Sequence, residues 1–235
     1  MMWLIGFEFE SNFLLKKHQK TNDFIKKFVI DKSCAIEAIS HPVELTDNSG
    51  KRENIFNIFK QNKNIILSEQ NEACGGHITI SKKGLSGLQI FNKAKNYMGF
   101  FYSLFRGRLS AWACHSNIYI EEEKNNKFGT IRFKKDVLEI RLFPHYMKME
   151  DIFLRYKLVF ELCKAIDLNL SYDEFIDNCK FTYNKKSELF DQIVKESYYF
   201  QEMINNKKYS KFTLKYMKRF KRFYEIQRLR NENKR

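Results

Sequence analysis

The chain has 235 residues, of which 43% are hydrophobic and 16% aromatic, with only 9 Gly and 2 Pro. This composition supplies a sizeable core and excludes disordered and collagen-like chains. No uncharged apolar run approaches the ~20 residues of a membrane-spanning helix, and Met1–Ile5 lacks the basic flank of a signal peptide. The five cysteines are widely spaced and predict reduced thiols. We therefore expect a globular cytoplasmic protein.

The formal net charge of +14 is concentrated near the C-terminus. Residues 207–235 hold twelve of the 42 Lys and Arg but only two of the 28 Asp and Glu, so they carry +10 of the total. Charge alone therefore leaves the fold and partners of the first 206 residues open.

Hydrophobic periodicity predicts a strand-rich region up to about residue 145 and helices beyond it. The expected elements, in chain order, are strands Trp3–Glu10 and Ala35–Ser40, helix Glu53–Phe59, strand Gly76–Ser81, helix Gln89–Phe105, strands Asn117–Glu122, Phe128–Lys134 and Val137–Phe143, and helices Asp151–Ile166, Ser187–Asn205 and Phe212–Arg230. A composition shift near residue 170 predicts two regions. Residues 1–170 would form an α+β domain, and residues 171–235 a basic helical appendage packed on it.

Three predicted strands share one design, in which aliphatic or aromatic residues alternate with acids, histidine or arginine. The polar positions are Glu8 and Glu10, His77 and Thr79, and Glu139 and Arg141. Each strand taken singly fits the solvated face of an antiparallel sheet. Such faces usually mix Lys, Thr, Ser and Gln, however, whereas these positions are mostly acids or metal-ligand types.

Carboxylates that converge on one surface repel each other, and a divalent cation relieves this repulsion. An oxygen-rich site with a single imidazole favours Mg²⁺ or Mn²⁺ over zinc. An arginine beside a metal-bound acid suits a phosphoryl oxygen. Together the strands indicate a protein that binds a metal–nucleotide complex.

Seven short blocks, taken in order, resemble the amidoligases of the carboxylate–amine ligase superfamily, which are related to glutamine synthetase and γ-glutamylcysteine ligase. The blocks are Gly6–Glu10, Asp31–Ser33, Ile36–Pro42, Cys74–Ile80, Arg106–Arg108, Lys127–Phe128 and Leu138–Phe143. Each block is weakly specific alone, and the order and spacing carry the resemblance over about two-thirds of the chain.

The resemblance implies a glutamine-synthetase-like antiparallel sheet whose concave polar face holds ATP and Mg²⁺, with helices on the other face. It implies one metal on Glu10, Asp31 and Glu37, and another on Glu8, His77 and Glu139. Arg141 would contact the phosphate in transit, with Glu139 and Glu37 as further catalytic residues. The implied nucleotide contacts are Arg106, Arg108, Lys127 and Thr79.

The implied reaction is ATP-dependent amide formation between a carboxylate and an amine through an acyl phosphate. The chain departs from the family pattern at three positions. Thr79 replaces a second histidine, Lys32 stands where glycine is common, and Arg132 enters a strand that is usually uncharged. Arg132 could contact the nucleotide or lie at the surface, and we favour the surface. Glu44 could substitute for Glu37 or Asp31 as a ligand, but it lies past Pro42 and we expect it in a solvated loop.

The basic tail supports a competing hypothesis, because its aromatic and basic residues interleave along a predicted helix. Such a helix fits nucleic acid, an anionic membrane surface or an acidic partner. The chain would then be a degenerate ligase fold that binds a polyanion. The simpler interpretation, which we favour, is an amphipathic helix that packs its aromatics on the domain. The substrates stay open: amino acid, peptide, cell-wall fragment and modified nucleobase all fit. The Lys-, Asn- and Ile-rich composition is typical of AT-rich genomes, such as those of phages and their hosts.

Overall fold

The computed structural model describes residues 2–12, 19–31, 34–68, 74–105, 131–183 and 188–205. These residues form an α+β fold with a seven-stranded sheet. The strands are β1 (Trp3–Ser11), β2 (Ile25–Asp31), β3 (Ala35–Ser40), β4 (Val43–Leu45), β5 (Ile78–Lys82), β6 (Ile131–Phe133) and β7 (Leu138–Ile140). The helices are α1 (Ser49–Gln61), α2 (Lys63–Ile66), α3 (Gly87–Ala94), α4 (Met98–Leu104), α5 (Met149–Leu168), α6 (Tyr172–Tyr183) and α7 (Glu188–Asn205).

The sheet order is β2-β3-β1-β5-β7-β6, and β4 pairs with the first half of β1. Every strand pair in the described part of the chain is antiparallel. The N-terminal strand β1 therefore lies in the middle of the sheet, with partners on both sides. A residue on β1 can reach side chains from β3 and β5 on the same face.

The odd-numbered residues of β1 form the apolar face of the sheet. Phe7 and Phe9 are almost completely buried. Phe7 contacts the rings of Phe24 and Phe59, and Phe9 contacts Tyr146. Because strand side chains alternate, packing this face against α1 and α5 leaves the even-numbered residues of β1 on the opposite face.

Helix α5 is the central helix of this layer. Glu150 and Asp151 stand in its first turn, where acids are favourable at the positive end of the helix dipole. Its buried Tyr156 donates a hydrogen bond to the Glu44 carbonyl, 2.7 Å away. At the other end, Asp167 accepts a hydrogen bond from the Trp3 indole at 2.9 Å and pairs with Lys82. Both sets of contacts lie near the start of β1, because Glu44 pairs with Leu4 and Lys82 pairs with Trp3.

Helix α7 packs closely on α4. The Ser103 hydroxyl donates to the Ile193 carbonyl at 2.7 Å, and Gln201 accepts from the Gly99 amide at 2.9 Å. A Cβ on Gly99 would lie 2.6 Å from the Ser197 carbonyl oxygen, so only glycine allows this approach. Residues beyond 171 thus contact the body, while the division at residue 170 stays a prediction.

The predicted helix Gln89–Phe105 is wrong in one respect, because a 3₁₀ turn at Lys95–Tyr97 separates α3 from α4. Tertiary contacts occupy the groups at this break. Tyr97 donates its hydroxyl to the Leu170 carbonyl at 2.6 Å, and Gln201 donates to the Lys95 carbonyl at 3.2 Å. The apolar periodicity continues across the break, which is why the sequence predicts one helix.

Four described elements were not predicted: β2, β4, α2 and α6. Strand β2 has a register shift between Ile25 and Lys27, which breaks its alternation. Strand β4 has three residues and includes Glu44, so the predicted solvated loop at this position is wrong. The start of helix α6 could have been predicted from the sequence, because Ser171 and Glu174 have capping-box spacing and form the reciprocal side-chain-to-backbone hydrogen bonds of that motif.

The predicted elements Asn117–Glu122 and Phe212–Arg230 lie outside the described residues. Within the described ranges, no helix is both long enough and apolar enough to cross a membrane. The four cysteines in these ranges, Cys34, Cys74, Cys163 and Cys179, are buried.

Candidate metal centre

The strand register places the predicted polar residues on one face of the sheet. Glu10 of β1 lies opposite Glu37 of β3, and Thr79 of β5 lies opposite Glu139 of β7. The ladder between β1 and β5 continues beyond Ile78, since the Glu8 amide donates to the His77 carbonyl at 2.9 Å. Strands β1 and β7, with the residue that directly precedes β5, therefore bring Glu8, His77 and Glu139 together.

Glu8, His77 and Glu139 form a compact set of possible metal ligands. One ligand atom from each lies within 4.8 Å of the others. His77 Nδ1 lies 3.2 Å from Glu8 Oε2 and 3.9 Å from Glu139 Oε1. Their side chains are 4%, 14% and 2% exposed for His77, Glu8 and Glu139. The set is therefore almost fully withdrawn from water.

Glu10 and Glu37 extend this cluster toward β3. Glu10 Oε1 lies 3.5 Å from His77 Nε2, and Glu10 Oε2 accepts a hydrogen bond from the Gly75 amide. The Glu37 carboxyl group lies near Glu8 and contributes to lowering the pKa of the Glu8 carboxyl group. His77 thus has an acid near each ring nitrogen, and Glu37 borders Glu8.

Two basic residues accompany Glu139. Arg141 Nη1 donates to Glu139 Oε1, and Lys134 Nζ lies 3.1 Å from Glu139 Oε2. The Lys134 contact is an ion pair without hydrogen-bond geometry, since Oε2 is buried and accepts no hydrogen bond. A buried carboxylate oxygen without a hydrogen bond is costly, which makes Oε2 available to a cation.

The acidity of Glu8 reflects competing effects. Burial raises the pKa of this carboxyl group, but the hydrogen bond and charge of His77, with smaller contributions from Glu37 and Lys134, outweigh burial and lower it to about 2. Glu8 is therefore ionised at neutral pH despite its burial, as a metal-ligating carboxylate must be.

The charges in the cluster fit a divalent cation. Four carboxyl groups, those of Glu8, Glu10, Glu37 and Glu139, lie in this cluster, and two cations, Arg141 and Lys134, pair with Glu139. Full ionisation of the carboxyl groups would leave excess negative charge in a nearly buried site, which a divalent cation such as Mg²⁺ or Mn²⁺ would reduce.

The distances agree with the same ions. Metal–oxygen bonds of ~2.1 Å in an octahedral shell place neighbouring ligand atoms ~3.0 Å apart and opposite ones ~4.2 Å apart. The 3.2 Å separation between His77 Nδ1 and Glu8 Oε2 lies in this range. A single imidazole among carboxylates is also the donor set that Mg²⁺ and Mn²⁺ accept, whereas zinc prefers more His or Cys.

A buried arginine lies beside the segment that carries His77, and it was not among the residues predicted from the sequence. Arg155 of α5 is 4% exposed, and its guanidinium donates to the carbonyls of Pro144 and His145. Its Cζ lies 4.2 Å from the Tyr146 ring centroid. We call Arg155 and these two carbonyls the Arg155 clamp. In the described part of the chain, no carboxylate forms an ion pair with Arg155.

The clamp lies next to the strand that bears His77. Gly75 forms a β-bridge with Pro144, and the Gly76 amide donates to the Phe143 carbonyl at 3.2 Å. A Cβ on Gly76 would lie 2.4 Å from the Tyr146 ring and 3.0 Å from Arg155 Nη1. The sequence does indicate that Arg155 is buried, because it falls on the apolar stripe of α5, three residues after Ile152 and four before Val159.

The remaining predicted residues have mixed outcomes. Thr79 lies on the polar face opposite Glu139. Asp31 ends β2 opposite Ala35, but its side chain lies outside the described part. The predicted nucleotide contacts Arg106, Arg108 and Lys127 also lie outside it, as does the basic tail. Arg132 is not a simple surface charge, because it is half-buried and directly opposite Glu139.

Glu44 is separate from the cluster and pairs with Lys51 at 3.2 Å. It is therefore not the substitute for Glu37 or Asp31 that the sequence left open. The chain matches no known protein-family model, and no curated protein is significantly similar to it in sequence.

Proposed function

We propose that the protein is an ATP- and Mg²⁺-dependent amidoligase that joins a carboxylate to an amine. The observation that supports this most strongly is the buried Glu8–His77–Glu139 set with Arg141 bonded to Glu139. An antiparallel sheet with one acidic face and helices on its apolar face is also consistent with a glutamine-synthetase-like fold. The order of sequence blocks within residues 4–165 adds to the case.

The side chains have distinct roles in this proposal. Glu8, His77 and Glu139 bind the divalent cation, which when bound neutralises phosphate charge. Glu10 and Glu37 border this set, and Glu10 is held by the Gly75 amide. Arg141, already close to Glu139, offers its remaining N–H groups to a phosphoryl oxygen, as a guanidinium is well shaped to do.

The proposed reaction has two steps. A carboxylate oxygen of the first substrate attacks the γ-phosphorus of ATP, the bond to the β,γ-bridging oxygen breaks, and ADP leaves. The amine nitrogen then attacks the acyl carbon, the bond from that carbon to the phosphate-bearing oxygen breaks, and inorganic phosphate leaves. The amine loses one proton. The cluster contributes by positioning and charge neutralisation in a nearly water-free site.

Hydroxylamine provides a test that does not require the natural amine. It traps acyl phosphates as hydroxamates, which give a coloured Fe³⁺ complex. Purified protein with ATP and Mg²⁺ is incubated with hydroxylamine and a panel of amino acids, short peptides and other carboxylates. We expect hydroxamate with at least one carboxylate, in a 1:1 ratio to ADP formed.

Two variants and a control define the outcome. Glu139→Gln and Glu8→Gln should lose hydroxamate formation by at least about 100-fold, because each removes a charged ligand from the buried set. Glu44→Gln changes an acid outside the cluster and should retain activity. Equal activity in Glu139→Gln and the unaltered protein would reject the proposed role of the cluster.

A further inference from the structure

Lys134 is the more exposed of the two Lys and Arg residues that form ion pairs with the buried set in the described part of the chain. Its side chain is 47% exposed, whereas that of its partner Glu139 is 2% exposed. The other cation on Glu139, Arg141, is only 13% exposed. The ammonium group of Lys134 can therefore swing away into solvent at low cost, while Glu139 cannot move to follow it.

Lys134 lies at the oxygen that a metal ion would use. It contacts Glu139 Oε2, the buried oxygen that accepts no hydrogen bond, whereas Oε1 is already bonded to Arg141. A cation that coordinates Oε2 at ~2.1 Å would lie where electrostatic repulsion and limited space disfavour an ammonium group 3.1 Å from the same oxygen. Metal binding and the Lys134–Glu139 contact therefore compete.

A displaced Lys134 ammonium group would need a new anionic partner. Arg132 precedes Lys134 by two residues, on the same face of the sheet, and lies opposite Glu139. With Arg141 on β7, three basic residues therefore lie at the edge of the sheet that holds Glu139. Once a metal neutralises Glu139, these groups would have no acidic partner there, and a polyphosphate chain would supply one.

We propose that Lys134 is an exchangeable counter-ion of Glu139. Its ammonium group would leave Glu139 Oε2 when a divalent cation is bound there, and would then bind the phosphate chain of the nucleotide. This inference rests on the proposed function, and it adds a residue that couples metal binding to phosphate binding. Lys134 therefore weakens metal binding and strengthens phosphate binding. A purely structural residue would not produce these opposite effects.

The test measures Mn²⁺ and polyphosphate binding separately. Free Mn²⁺ is quantified by its EPR signal in a titration of the full chain, and tripolyphosphate is then titrated calorimetrically at saturating Mn²⁺. Lys134→Met should bind Mn²⁺ about 3- to 10-fold more tightly, as expected for loss of a partly exposed competing ion pair. It should bind tripolyphosphate several-fold more weakly.

Lys135→Met is the matched control, because Lys135 is the adjacent residue and is exposed. It removes the same charge and should leave both affinities unchanged. Lys134→Arg should weaken Mn²⁺ binding, since a guanidinium holds a carboxylate more firmly than an ammonium group. This second variant retains the charge and so provides a test even if Lys134→Met is poorly folded.

The outcomes separate this inference from the proposed function. If the unaltered chain binds Mn²⁺ and Lys134→Met binds it equally or more weakly, the exchange is refuted while the metal site stands. If Lys135→Met changes both affinities by the same amounts, the effect comes from net charge alone, and the exchange is again refuted. If no variant binds Mn²⁺ saturably, the proposed function fails and this inference fails with it.

Discussion

Replacing Arg155 with methionine removes the buried cation of the Arg155 clamp while keeping a long, unbranched side chain. The change abolishes two charged hydrogen bonds, to the carbonyls of Pro144 and His145. It also removes the cation–π contact with Tyr146, whose ring centroid lies 4.2 Å from Cζ. The surrounding residues stay in place, so the variant isolates the effect of the guanidinium.

Two charged hydrogen bonds contribute about 3–6 kcal/mol together, and the aromatic contact about 1–2 kcal/mol. The variant no longer has to bury a guanidinium without a carboxylate partner, and this gain offsets several kcal/mol of that sum. We therefore expect Arg155→Met to lower the free energy of unfolding by about 2–4 kcal/mol, which is a large share of the ~5–15 kcal/mol of an ordinary domain.

The assay is equilibrium unfolding in urea followed by tryptophan fluorescence. The midpoint should fall without a change in the slope. The matched control is Lys164→Met on the same helix, where the side chain is 43% exposed and the change should be within about 0.5 kcal/mol. If Arg155→Met is as stable as Lys164→Met, the clamp is not a stabilising contact and this reasoning is wrong.

Three further predictions use different properties of the fold. Gly76→Ala and Gly99→Ala each force a Cβ within 2.4–2.6 Å of a neighbour and should destabilise the fold by about 1–3 kcal/mol. Only Gly76→Ala should also weaken Mn²⁺ binding, because it displaces His77, and equal binding in both variants would contradict this. The pKa of Glu8 is lowered from 4.5 to about 2, so its stabilisation is complete above pH 4.5 and lost as the pH falls toward 2. In metal-free buffer, the free energy of unfolding should fall with pH by on the order of 3 kcal/mol more in the unaltered protein than in Glu8→Gln. If the curves of unfolding free energy against pH run parallel for the two proteins, the prediction is wrong. Deletion of residues 207–235 should preserve Mn²⁺ binding and hydroxamate formation, and loss of both would show that the tail belongs to the site.

The sequence predicts the polar face well because strand alternation is a local rule. Glu8, His77 and Glu139 alternate with apolar residues that belong in the core. Their own side chains must therefore project from the opposite face of the sheet. Which strands become neighbours is not a local property. The resemblance to amidoligases orders the blocks, while the register that sets Glu10 against Glu37 and Thr79 against Glu139 comes from the structure.

The features that the sequence misses depend on tertiary contacts. Arg132 looks like a surface charge until the pairing of β6 with β7 places it opposite Glu139. Arg155 looks like one basic residue on a mixed helix until burial shows it bonded to two carbonyls. The break between α3 and α4 arises because Leu170 and Gln201, distant in sequence, bond the residues at Lys95–Tyr97. Periodicity within one segment carries no information about such partners.

The account depends most on one divalent cation bound by an imidazole and carboxylates from three strands. Electron spin-echo envelope modulation of Mn²⁺ bound to the full chain tests this directly, because a coordinating imidazole nitrogen modulates the echo. We predict modulation from a single histidine nitrogen, which changes on ¹⁵N-histidine labelling and disappears in His77→Gln. Bound Mn²⁺ without nitrogen modulation, or with modulation that persists in His77→Gln, would contradict the assignment.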